Sequence, residues 1–259
     1  AMDSRSLFVL LWMLLSSTST GIKLDGNGYV DIVIAISSRV PQDDTLIGKI
    51  KDMVTEGSLY LYDALDKKVY FKEATILVPP QWNSKDFTKA RTESYGKAKI
   101  IIDNANPAYG DEPYTNQYGE CGAEGQYIHF TPNFLRDTTL IKPYGPKGRV
   151  LVHEWAHLRW GVYDEYSEEK PFYYSNGNVE ATSKNIDGQL SDVTAGSPCQ
   201  TDPRTSLPSK GCKFFPNKYQ NTHSSIMYLP SLDSVSIDFT CSTNAKFNFD
   251  NSQSVACSI

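Results

Sequence analysis

Apolar residues fall along this chain in two rhythms. Residues 29–37 (YVDIVIAIS) are nearly continuous Val and Ile, which predicts a buried strand. Residues 41–65 place Leu46, Ile47, Ile50, Met53 and Val54 at helical spacing, with Asp43 and Asp44 where carboxylates favour a helix N-terminus. Residues 69–78 (VYFKEATILV) predict a second strand, ended by Pro79 and Pro80, and residues 98–104 (AKIIIDN) a third. Strand, helix, strand with short links predicts parallel pairing. Residues 104–125, broken by Pro107, Gly110, Pro113, Gly119 and Gly122, read as loop, and residues 126–130 as an edge strand. A helix follows over about 146–160, with Pro146 in its first turn and Gly161 as its stop. Residues 167–222 are rich in Ser, Asn, Gly, Pro and Lys without periodicity and read as loops pinned by disulfides. The fold class is therefore α/β (α+β): a mixed sheet, one long helix near its end, and an irregular C-terminal subdomain.

The N-terminus has a different texture. Arg5 precedes the apolar run 7–15 (LFVLLWMLL), and small polar residues 16–21 follow. This is the layout of a secretory signal peptide, with cleavage near Ser19 or Thr20. The run is shorter than the roughly 20 apolar residues a membrane-spanning helix needs, so no stable membrane insertion is expected. The expected division is 1–20 signal peptide, 21–166 N-terminal subdomain, 167–241 C-terminal subdomain and 242–259 a polar, truncated tail.

Composition narrows the partners. The 259 residues are 40% hydrophobic and 21% charged, with a formal net charge of −5, and no block of Lys or Arg offers a nucleic-acid footprint. Export would expose the five cysteines to an oxidising compartment. Cys199 and Cys212 flank a Pro- and Ser-rich loop, which makes them the first expected pair; the odd cysteine is left to another chain or segment.

The chemistry concentrates in residues 150–166, VLVHEWAHLRWGVYDEY. His153 and His157 lie four residues apart, on one helix face, about 6 Å along the axis. Two imidazoles so placed converge on one ion, and Glu154 has the general-base position of an H-E-x-x-H peptidase. Gly161 lets the chain leave the helix and return a third ligand. Asp164 is the expected one, with Glu165 as the alternative. This resembles the metzincin arrangement, with two departures: the glycine comes one residue later, and an aspartate replaces the usual histidine. Downstream, SSIMYLPS (224–231) offers Met227 for a methionine turn beneath the ligands and Tyr228 for a hydroxyl near them. His129 is expected to be structural, His223 an outer neighbour of the metal ligands, and Trp155 and Trp160 core. The acids from Asp164 to Glu169 lack EF-hand spacing and read as surface charge instead of a calcium site.

The stretches NGYVDIVIAI, DEPYT, CGAEGQYIHFTPNF, YGPKGRVLVHEWAHLRWGVYDEY, FYYSNG and SIMY resemble the N-terminal domain of the calcium-activated chloride channel regulator family. The resemblance implies a secreted, metzincin-like zinc protease that cleaves its own chain and modulates calcium-activated chloride conductance. It implies zinc on His153, His157 and Asp164, with Glu154 as base and a protein or peptide as substrate. Relatives continue into a cysteine-rich part, a von Willebrand A domain and β domains that are not in this sequence. The competing expectation is a non-catalytic binding module, or an inactive truncated family member.

Overall fold

The structure, a computed structural model, describes residues 21–83, 87–141 and 144–164, and beyond them 172–175, 178–181, 188–192, 197–200, 203–204, 212–216, 223–224, 227 and 236–237. The expected signal peptide, Glu165 and Tyr228 lie outside the described residues.

The apolar runs become strands, though two of them divide. β1 (Lys23–Asp25), β2 (Gly28–Val30) and β3 (Ile32–Ile36) open the fold. The expected single strand over 29–37 breaks at Asp31, whose φ of 62° turns the chain between β2 and β3. After α1 (Asp44–Ala64) come β4 (Tyr70–Phe71) and β5 (Ala74–Leu77). The expected strand over 69–78 breaks at Lys72 and Glu73, whose amides both donate to the Tyr29 carbonyl, at 2.9 and 3.2 Å. At these breaks the chain passes between two sheets: β1, β2 and β4 form a small one, while β3 and β5 enter a five-stranded one.

The larger sheet is completed by β6 (Ile100–Ile102), β7 (Tyr114–Asn116) and β8 (Tyr127–Phe130), in the order β5-β3-β6-β8-β7. Pairing is parallel as far as β8, as expected, and antiparallel between β8 and β7. Two expectations need correcting here. The strand near 126–130 is not an edge; it lies between β6 and β7. The edge is β7, inside the stretch read as loop: Pro113 and Gly119 bracket a strand too short to show alternation.

α1 buries Leu46, Ile50, Met53, Gly57, Leu61 and Ala64 along one stripe, and Asp43 caps it by accepting from the Thr45 amide at 2.9 Å. After α2 (Pro132–Arg136) and α3 (Thr138–Ile141) comes α4 (Lys147–Trp160). α1 and α4 meet at two glycines. A Cβ on Gly148 would lie 2.5 Å from both Glu56 Cγ and the Gly57 nitrogen. Removing the side chains there lets the backbones close, and the Glu56 carboxylate accepts from the Gly148 amide at 3.0 Å, supplying the α4 N-terminus with an acceptor. Trp155 is fully buried and packs edge-on against Tyr29 and Phe71, with centroids at 5.1 and 4.7 Å. α4 is thus pinned on both sides, which fixes the direction of its remaining face.

Further along are β9 (Phe172–Ser175), β10 (Asn178–Ala181), β11 (Gly188–Asp192), β12 (Ser197–Pro198), β13 (Cys212–Pro216), β14 (His223–Ser224) and β15 (Ser236–Ile237). The stretch read as loops therefore holds antiparallel pairs, β9 with β10 and β11 with β12 and β13. Strands of two to five residues are too short to show an apolar period. The expected bridge between Cys199 and Cys212 is present, with Cα atoms 5.8 Å apart, and Cys121 is disulfide-bonded as well. Among the described residues, no helix is long and apolar enough to cross a membrane.

Candidate metal centre

Of the residues singled out in residues 150–166, His153, His157 and Asp164 converge. On α4, His153 and His157 are one turn apart with Nε2 atoms 3.3 Å from each other. Gly161 ends the helix at φ 63° in the left-handed region that glycine occupies without strain. The chain then turns back, and Asp164 Oδ1 comes to 3.0 Å from His153 Nε2 and 3.3 Å from His157 Nε2. A Cβ on Gly161 would strike the Ala123 carbonyl oxygen at 2.3 Å, so this turn also depends on close approach of the 117–125 segment.

The three donor atoms form a nearly equilateral triangle. A tetrahedral ion with bonds near 2.0–2.1 Å sets its ligand atoms about 3.3–3.4 Å apart, and the observed 3.0–3.3 Å edges match it. The tautomer agrees. His157 Nδ1 lies 2.6 Å from the Val162 carbonyl oxygen, which only accepts, so Nδ1 carries the proton and Nε2 is free to ligate. His153, His157 and Asp164 therefore form a group able to hold one metal ion.

The electrostatics follow from the same contacts. Burial alone would lower the His157 pKa; the hydrogen bond to Asp164, the charges of Glu154 and Asp164 and the Val162 carbonyl outweigh it and push it up to about 9. Burial alone would raise Asp164; the two imidazoles outweigh it and hold the carboxyl well below the usual range. Both shifts express one fact: positive charge is favoured where the three donors meet.

Glu154 is buried on the same helix, and its carboxylate is met from outside α4. Thr115 Oγ1, on β7, lies 2.8 Å from Glu154 Oε2 and 2.9 Å from the Glu154 carbonyl oxygen. Sequence reading missed Thr115 because β7 was taken for loop. The available signal was a β-branched residue between polar neighbours and aromatics in PYTNQY (113–118).

His129 is buried on β8, stacked on Tyr114 with centroids 4.8 Å apart, and burial pushes its pKa down. This is the structural role expected of it. Trp160 is core, as is Met227, which joins the same buried cluster as Trp155. His223 pairs with Ser236 across β14 and β15.

Comparison with known proteins gives one consistent answer. Residues 22–259 match the family described as calcium-activated chloride channel N terminal. The chain is 45% identical over 261 residues to calcium-activated chloride channel regulator 3A-1 of Mus musculus, covering 97% of this chain and 29% of that protein. It is 47% identical over 239 residues to regulator 1 of Bos taurus, covering 88% of this chain and 26% of that protein. It is 43% identical over 261 residues to regulator 2 of Homo sapiens, covering 97% and 27%. The chain therefore spans less than a third of the length of these relatives. No solved structure matches it.

Proposed function

The chain belongs to the calcium-activated chloride channel regulator family, and from that premise we propose that it is a secreted, zinc-dependent metalloendopeptidase domain of the metzincin type. One observation carries the reading: two imidazole nitrogens and one carboxylate oxygen meet at ligand spacing while a buried glutamate stands next to the first of them. Two nitrogens and one oxygen suit zinc, and among the described residues the group has three protein ligands, the number that catalytic zinc sites use.

Bound zinc would acidify water and polarise a peptide carbonyl at this site. The chain supplies the rest. His153, His157 and Asp164 would hold the ion, and Val162 fixes the His157 ring through its Nδ1. Glu154 accepts the proton of the attacking water and returns it to the leaving amine. β7 is the edge of the sheet beside α4, and an extended peptide pairing along it would lie over the site. The substrate we propose is a protein or peptide, including a longer form of the protein's own chain. The relatives' name links them to a calcium-activated chloride channel, and modulation of that conductance is the role we extend to this protein.

The test is cleavage of fluorescein-labelled casein by the secreted chain. Wild type should cleave it, a zinc chelator should stop it, and Glu154→Gln should reduce it by at least about a hundredfold, within the usual range for a general base. Cleavage unchanged by both treatments would reject the reading in favour of a non-catalytic binding module.

A further inference from the structure

We infer that Thr115 is a positioning residue for Glu154: its hydroxyl engages Oε2 and so leaves Oε1 as the oxygen offered to water. This rests on the peptidase reading above. A threonine hydroxyl has one proton, and both groups within its reach, the Glu154 carbonyl and carboxylate, only accept. The ionised carboxylate is the stronger acceptor, so the proton goes to Oε2. Among the described residues, no other hydrogen bond reaches the Glu154 carboxylate. Without Thr115 no other described residue would hydrogen-bond the buried carboxylate and orient it about its last bond.

The position of Thr115 is itself built. The segment joining β7 to β8 attaches to the spare carbonyls at the end of α4. Gly125 N donates to Leu158 O at 2.8 Å and Gly122 N to Gly161 O at 3.0 Å. Gln117 Nε2 donates to Gly161 O at 3.2 Å and to Ala123 O at 3.0 Å. Gly125 must be small: a Cβ there would lie 2.9 Å from Thr115 Cγ2 and 3.1 Å from Leu158 Cα. The turn that brings Asp164 to the histidines and the strand that brings Thr115 to the base are thus fastened to one helix end. Ligands and base are set by a common frame.

The experiment compares Thr115→Val, which keeps the branched shape, with Thr115→Ser, which keeps the hydroxyl. With casein as substrate, Thr115→Val should lower kcat at least about tenfold with KM and zinc content unchanged, and Thr115→Ser should restore most of it. In a Glu154→Gln background, Thr115→Val should have no further effect on the residual rate. A purely structural threonine would cost activity in both backgrounds, and that result overturns the inference. A second arm needs no catalysis: unfolding constants of Thr115→Val, Glu154→Leu and the double variant should depart from additivity at least fivefold. An additive cycle overturns the contact whatever the activity. An inert wild type with an intact cycle rejects the peptidase reading, and Thr115's catalytic meaning with it.

Discussion

The Nδ1–H of His157 donates to the Val162 carbonyl oxygen at 2.6 Å, across the left-handed turn at Gly161. One hydrogen bond thereby fixes the tautomer of a candidate ligand and anchors the turn that returns Asp164. Gly161→Ala attacks both. The left-handed conformation costs a residue with a Cβ about 1–2 kcal/mol, and the added carbon would sit 2.3 Å from the Ala123 carbonyl oxygen. Zinc affinity should fall at least about tenfold, the usual cost of losing an outer-shell partner, as measured by competition with a chromophoric chelator. An unchanged affinity would separate the turn from the site.

Trp155 should be the stability anchor of α4. It is fully buried against Tyr29 and Phe71. Trp155→Ala should cost about 3–5 kcal/mol in urea unfolding, and Trp155→Phe distinctly less. A loss below about 1 kcal/mol for the alanine variant would mean that the aromatic cluster does not hold the helix.

Gly148→Ala sets two effects against each other. Alanine favours a helix over glycine by about 1 kcal/mol. The new methyl would meet Glu56 Cγ and the Gly57 nitrogen at 2.5 Å, and overpacking of that kind costs about 1–3 kcal/mol. The backbone contact cannot yield, so the clash should win and the variant should unfold at lower urea. A more stable variant would show that α1 and α4 do not meet there.

Alkaline pH should loosen the fold through Tyr60. Burial pushes its pKa up to about 12, against a smaller opposing effect of Arg149, whose guanidinium stands 5.2 Å over the ring. Between about pH 10 and 12 the folded chain keeps a proton that the unfolded chain has lost. This stability is fully present below pH 10 and disappears as pH rises through 12, in all at most about 2–3 kcal/mol. Tyr60→Phe keeps the ring and loses the proton, so its stability should fall less steeply across that window in urea titrations. An identical slope would remove Tyr60 from the account.

What the sequence made legible follows its periodicities. His153 and His157 repeat with the helix, Gly161 is the residue a left-handed stop requires, and β3 and β6 are unbroken Ile-rich runs, so candidate ligands, turn and sheet centre could be read. The breaks at Asp31 and Lys72 could not, because both sit inside apolar runs and the strands switch sheets through backbone conformation and hydrogen bonds alone. β7 was hidden for another reason. Three residues show no alternation, and the strand is held by pairing with β8 and by glycine amides on the α4 carbonyls, all of them contacts remote in sequence. Thr115 was hidden with it.

The central claim is that His153, His157 and Asp164 enclose a single ion. Elemental analysis of the purified secreted chain tests it most directly. The account predicts about one zinc per chain in wild type, Glu154→Gln and Glu165→Gln, and loss of the metal in His153→Ala, His157→Ala and Asp164→Ala. Zinc missing from a folded wild type, or retained when any of the three is replaced by alanine, would contradict it.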